Sequence, residues 1–320
     1  MTRSKTCQQN APKDSQRVIL PRYGFILLIF MTLFWGINWP IIKIALEEVP
    51  VLTFRAVCLA GGALVILFLS KIFGHSLVIP RKLLPMLLLC SLLNITAWHS
   101  LTGYGIDLTS SGRAAIIGYT MPLWTAPLGF LVLGEMVTWR RIVALTLGTA
   151  GLGILIISDL HKLGEAPLGP LLMLGGALVW AGGTVVQKKV DWGVPTSVLI
   201  GWQYLIGGLP IFFAAAIVVD YESVSFQGVW TCLSIIYNIF IGFVFCYYAY
   251  YEVIRIFPIG IATVGTLATP IVGVFSGVLL LNERVGWEEC SALALVVLGL
   301  GLPILINSGK VKMGLWAKTF

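Results

Sequence analysis

The side chains able to do chemistry in this sequence are few and sit in unusual company. Asn38, His99 and Gln203 are each embedded in a long apolar run, and Trp35, Trp98, Tyr119, Trp180 and Tyr247 lie in runs of the same kind. An amide or an imidazole in hydrocarbon must find a partner or face a water-filled space. Taken together, the eight read as the lining of one central cavity with aromatic walls. Taken singly, each amide also suits an interhelical hydrogen bond, and each aromatic an interfacial belt. Arg55, near the end of its run, has a planar fork that matches a carboxylate. The same side chain, like Lys43, also suits snorkelling to the interface. This chemistry is binding rather than bond-making.

Groups for catalysis, metal or cofactor are not apparent. There are three histidines, His75, His99 and His161, and no HExxH motif. His75 and His161 are expected in loops on opposite sides of a membrane. Six cysteines are scattered without a CxxC pair, so they read as small buried hydrophobes and give no disulfide or metal framework. No GxxxxGK[ST] phosphate loop occurs, which argues against direct ATP coupling. The expected catalytic, metal and cofactor sets are therefore all none. No Asp or Glu is expected in the central part of any apolar run. A proton-coupled exporter of organic cations would need one, so neutral, zwitterionic or anionic solutes are favoured over cationic drugs. His99 alone among the deep groups titrates near neutral pH.

Ten stretches must position these residues. The chain is 58% hydrophobic and 11% charged, with a mean hydropathy of +0.94, too apolar to cover a surface in water. A membrane helix needs about 20 mostly apolar residues. Candidates run over 23–46, 51–72, 83–103, 111–133, 139–158, 168–188, 196–219, 228–251, 259–281 and 287–306. They are too long and too uniformly apolar for barrel strands. The first run is too long for a signal-peptide core and has no small-residue cleavage site, so it is expected to stay as the first helix. The 35 glycines suit close helix packing. The fold expected is an all-α polytopic membrane protein of ten transmembrane helices. Of 21 Lys and Arg, 16 fall on one side if the N-terminus is cytoplasmic, so both termini are expected inside. The +7 net charge is then topology and not a nucleic-acid surface; membrane lipid and a small-molecule substrate are the expected partners. Monomer and homodimer both stay open.

One stretch occurs twice. Residues 112–153 and 260–301 align without a gap at an offset of 148, with 15 of 42 positions identical, among them Gly112/Gly260, Pro122/Pro270, Glu135/Glu283 and Trp139/Trp287. The halves are therefore repeats. At the same offset Arg55 falls opposite Gln203 and His99 opposite Tyr247. Five spans per half is an odd number, so the second half enters the membrane inverted. Inverted repeats are a recurring architecture of secondary transporters, with the substrate near the midplane. The expected organisation is a tail 1–22, a first five-helix repeat 23–158, a second 168–306 and a tail 307–320. Glu135 and Glu283, mirrored across the membrane, read as scaffold, each near the positive N-terminus of the helix that follows. Pro40, Pro122 and Pro270 read as kinks or hinges.

The sequences FWGINWPIIKIAL at 34–46, TSSGRAAIIGYTMPLWTAPLGFLVLGE at 109–135 and PIGIATVGTLATPIVGVFSGVLLLNE at 258–283 resemble the EamA family of the drug/metabolite transporter superfamily. The resemblance spans about residues 23 to 306. It implies ten helices in two inverted repeats and an inner-membrane carrier, often an exporter of amino acids or other small metabolites. An uncoupled facilitator or channel is the alternative, then an intramembrane enzyme or a sensor.

Overall fold

The computed structural model describes residues 22–133, 139–163, 168–220, 224, 226–256 and 259–308, and among these the regular structure is entirely helical. Helix α1 spans Arg22–Leu46 and α2 spans Val51–Ile72. Helix α3 is continuous over Arg81–Asp107, extending beyond the expected run 83–103 at both ends. The expected fourth span is two helices, α4 (Ser111–Gly118) and α5 (Met121–Leu133). Then follow α6 (Trp139–Leu163), α7 (Leu168–Lys189) and α8 (Thr196–Val218). Helix α9 is built of Val229–Tyr237, Asn238–Phe245 and Cys246–Ile256; α10 is Ile259–Leu281 and α11 is Trp287–Ser308. His161, expected in a loop, falls within α6.

Helix is what this composition requires. In hydrocarbon every backbone N–H and C=O must be bonded within the chain, and an apolar segment achieves that by coiling. Among the described residues, seven helical stretches are long and apolar enough to cross a membrane: Arg22–Leu46, Val51–Ile72, Arg81–Asp107, Ser111–Val132, Leu168–Lys189, Thr196–Val218 and Val229–Val253. Leu145–Ser158 of α6 and Ala268–Leu281 of α10 are shorter apolar stretches.

Small residues decide which helices meet. A Cβ on Gly36 would lie 2.5 Å from the Val272 side chain, so α1 and α10 approach as closely as they do only because position 36 is bare. Besides α1 with α10, the extensive contacts are α2 with α8, α3 with α7, α5 with α7, α1 with α9, and α6 with α11.

Breaks in regular hydrogen bonding fall where the helices surround the middle of the molecule. Pro122 is the second residue of α5, where its missing N–H costs least, so it begins a helix instead of kinking one. Its missing N–H leaves the Gly118 carbonyl without the donor a helix would supply there. The Thr120 hydroxyl closes the junction by donating to the Ile117 carbonyl at 2.6 Å. Pro40 lies inside α1 and likewise frees the Gly36 carbonyl, which accepts from Ser276 Oγ of α10 at 3.4 Å. Pro270 lies inside α10 and is buried. In α3 residues Leu92–Ala97, and in α9 residues Asn238–Phe245, widen into π-helical turns. Such turns free carbonyls for side-chain donors. Trp35 Nε1 donates to the Gly242 carbonyl at 3.2 Å, and the Tyr204 hydroxyl to the Phe243 carbonyl at 2.8 Å.

Charged residues at one end of the helices are held by helix termini. Glu283 caps a helix, but that helix is α4 and not α11, which follows it: its two carboxylate oxygens accept from the backbone N–H of Ser111 at 2.6 Å and of Gly112 at 3.0 Å. The turn after α10 brings Glu283 back over α4, a tertiary fact that adjacency in sequence does not disclose. Lys43 Nζ donates to the carbonyls of Ile106 and Thr109 at the C-terminal end of α3, where helix dipole and cation agree. Arg113 Nε meets Glu289 Oε1 at 2.5 Å, both side chains buried. Glu48 accepts from the Gly228 N–H at the start of α9. Glu135 lies outside the described residues.

Candidate functional site

α1, α2, α3, α4, α5, α7 and α9 enclose a central cavity of about 60 Å³. A water occupies about 10–15 Å³ on this measure, so the space admits on the order of four waters. Its wall holds Trp35, Asn38, Trp39 and Ile42 from α1, Arg55 from α2, and Trp98, His99 and Thr102 from α3. Gly118, Tyr119 and Met121 come from the α4–α5 junction, Trp180 from α7, and Gly242, Phe243 and Tyr247 from α9.

Seven of the eight residues singled out in the sequence, Trp35, Asn38, Trp98, His99, Tyr119, Trp180 and Tyr247, thus meet around one space, and Arg55 joins them. Gln203 does not line it. It is buried in α8, where its amide donates to Gln187 Oε1 at 2.8 Å and accepts from the Tyr251 hydroxyl at 3.2 Å. With both its nitrogen and its oxygen bonded, this amide has partners within the protein, and the trio ties α7, α8 and α9 together beside the cavity. Trp39, Ile42, Thr102, Gly118, Met121, Gly242 and Phe243 also contribute to the wall.

The aromatic wall is continuous. The Trp98 and Trp180 rings are 4.9 Å apart, Trp35 meets Tyr247 edge-on at 5.5 Å, and Trp180 meets Tyr247 at 5.6 Å. His99 stacks on Phe243 at 4.9 Å. Its Nε2 lies 2.9 Å from the Tyr247 hydroxyl. On the same wall four polar atoms are buried without a partner: Asn38 Oδ1, Arg55 Nε, His99 Nδ1 and Trp180 Nε1. Buried polar groups are ordinarily satisfied, so unfilled capacity gathered around one cavity points to a visiting group. Arg55 is only 3% exposed, and therefore it does not snorkel to the interface.

No acidic side chain lines the cavity among the described residues. The buried carboxylates lie near helix ends and are occupied there: Glu252 by Arg255 and Thr196, Glu288 by Ser158, and Glu289 by Arg113 and the Gly286 N–H. Among the described residues no three His, Cys, Asp or Glu side chains gather to hold a metal ion. The arrangement can hydrogen-bond, stack on and attract a small solute from several helices at once.

A multi-pass helical bundle around a buried aromatic and polar cavity defines the class as an integral membrane protein with a solute-sized internal site. The chain belongs to the EamA-like transporter family, whose model matches residues 22–157 and again residues 167–305. It is 35% identical to the uncharacterized transporter YvbV of Bacillus subtilis (strain 168) over 187 residues, 58% of this chain and 60% of that protein. It is 26% identical over 310 residues to the probable amino-acid metabolite efflux pump of Escherichia coli (strain K12), covering 88% of this chain and 94% of that one. It is also 26% identical over 297 residues to the uncharacterized inner membrane transporter YedA of the same strain, covering 92% and 93%. One solved crystal structure superposes with a TM-score of 0.68 over 91% of this chain and 99% of that one; at 18% identity the likeness is one of fold alone.

Proposed function

We propose that the protein is a secondary transporter that exports amino acids or related small metabolites by alternating access. One observation carries the reading: the cavity is enclosed by helices of both repeats and holds unsatisfied polar atoms behind aromatic walls. The cargo class is supported by the family and by the name of the E. coli efflux pump.

The architecture proposed is ten spans in two inverted five-helix repeats, 23–158 and 168–306, with both termini cytoplasmic. The helix pairing supports it. Exchanging the repeats turns the α1–α10 contact into that of α7 with the α4–α5 span, and α3–α7 into α1–α9, while α2–α8 and α6–α11 map onto themselves; all of these contacts occur. Such a bundle can rock about its internal axis and present one site to either side in turn. In this reading, passage of a solute from the cavity to either side of the membrane requires the halves to part. In the structure α4 and α3 are clasped by Glu283 and Lys43. No step through a cofactor or metal is part of this reading.

The test is release of labelled metabolites from proteoliposomes. Net efflux above protein-free vesicles is expected. Chemical conversion of the cargo without movement across the bilayer would make the protein an intramembrane enzyme instead.

A further inference from the structure

Arg55 is a buried charge without a counter-charge. It stands near the start of α2, in its second turn, with its Nε atom fully buried and unbonded, and no ion pair or hydrogen bond reaches its guanidinium among the described residues. Its closest features are Gly103, where an added Cβ would sit 3.3 Å from Nε, and the ring of its neighbour Phe54 at 5.5 Å. Three acids near this end of the helices are engaged elsewhere: Glu283 holds the α4 amides, Glu289 holds Arg113, and Glu48 holds the Gly228 amide. A buried ion left unpaired is strongly unfavourable, and a scaffold of this kind readily places a carboxylate beside an arginine when stability is the only demand.

We propose that Arg55 is the carboxylate anchor of the cavity, and that the transported class is defined by a carboxylate and not by an amino group. This rests on the transport reading above. The guanidinium offers a forked pair of donors. His99 supplies another in the tautomer whose Nε2 accepts from the Tyr247 hydroxyl, which puts the ring proton on Nδ1, the atom left without a partner. An amino group, where the solute has one, meets only neutral groups, namely the faces of Trp35, Trp98, Trp180 and Tyr247 and the free Asn38 Oδ1. Loss of the amino group therefore weakens binding less than loss of the carboxylate charge. Hydroxy acids belong to the class beside amino acids; amides and amines do not.

The test uses the full-length protein in proteoliposomes. The tryptophans on the cavity wall, Trp35, Trp39, Trp98 and Trp180, report occupancy by fluorescence. Probes are L-alanine, L-leucine and L-phenylalanine, each with its 2-hydroxy acid, its amide and its decarboxylated amine. At least one amino acid and its hydroxy acid are expected to bind, with the amide and amine at least about ten-fold weaker. Arg55→Gln is expected to erase that preference, and Arg55→Lys to keep part of it. The wild-type comparison stands even where a variant fails to fold. Amides or amines that bind as tightly as acids, acids that bind Arg55→Gln undiminished, or no acid bound at all would overturn the anchor. Vesicles loaded with the same mixture separate the two claims. Carboxylate binding without efflux keeps the anchor and removes the transporter; efflux of amides and acids alike, equal in Arg55→Gln, does the reverse.

Discussion

The Tyr247 hydroxyl lies 2.9 Å from His99 Nε2, and the two residues occupy equivalent positions of the two repeats, 148 residues apart. Equivalent residues touch only where the repeats face each other, so this bond sits at the seam between the halves. A double-mutant cycle of Tyr247→Phe and His99→Gln is expected to give a coupling of about 1 kcal/mol in detergent-solubilised protein, read by thermal denaturation. Additive effects would mean that the contact contributes nothing.

Glu283 holds two backbone amides at the N-terminus of α4 with charge-assisted hydrogen bonds. Glu283→Ala is expected to destabilise the protein by about 2 kcal/mol or more, and Glu283→Gln by less, since one acceptor remains. Arg113→Ala, or Glu289→Ala, strands a buried charge and is expected to cost about 3–5 kcal/mol, with the double variant less damaging than the sum. Melting curves of the purified variants check both sets.

Asn94 packs into the space a side chain at position 183 would fill: an added Cβ on Gly183 would be 1.8 Å from Asn94 Oδ1. Gly183→Ala is therefore expected to lower stability by about 1–3 kcal/mol, and Asn94→Ala in the same chain to recover most of it. Failure of the second change to rescue the first would place the strain elsewhere.

Much of the site was legible before any coordinates, because polarity and aromaticity at membrane depth are rare and mark groups that need partners. Asn38 and His99 stand out for that reason. Gln203 stands out equally and finds its partners in Gln187 and Tyr251, so depth announces a need without naming who meets it. Ile42 and Met121 carry no such mark; an apolar side chain facing a cavity reads like one facing lipid. Pro122 signals a break, but only the backbone shows that it starts α5. The π turns of α3 and α9 have no residue signature, yet one of them frees the carbonyls bound by Trp35 and Tyr204. Glu283 reads in the sequence as belonging to the N-terminus of the helix that follows it, whereas the amides it holds are those of α4, which sequence adjacency cannot identify.

The proposed orientation rests on the distribution of basic residues and is checked from outside the cell. With both termini cytoplasmic, single cysteines placed at Glu47 and Arg284 in a cysteine-free background are expected to react with a membrane-impermeant maleimide on intact cells. Cysteines at Lys82 and Lys189 are expected to react only after permeabilisation. The reverse pattern would invert the topology.

Alternating access between the halves is the central claim, and solute counterflow in proteoliposomes tests it most directly. Vesicles loaded with a high concentration of unlabelled carboxylate substrate are diluted into a trace of the labelled compound. The account predicts a transient accumulation of label above its equilibrium level, lost in Trp180→Ala, whose indole is part of the cavity wall. A monotonic approach to equilibrium with no overshoot would contradict it and make the protein an open pore.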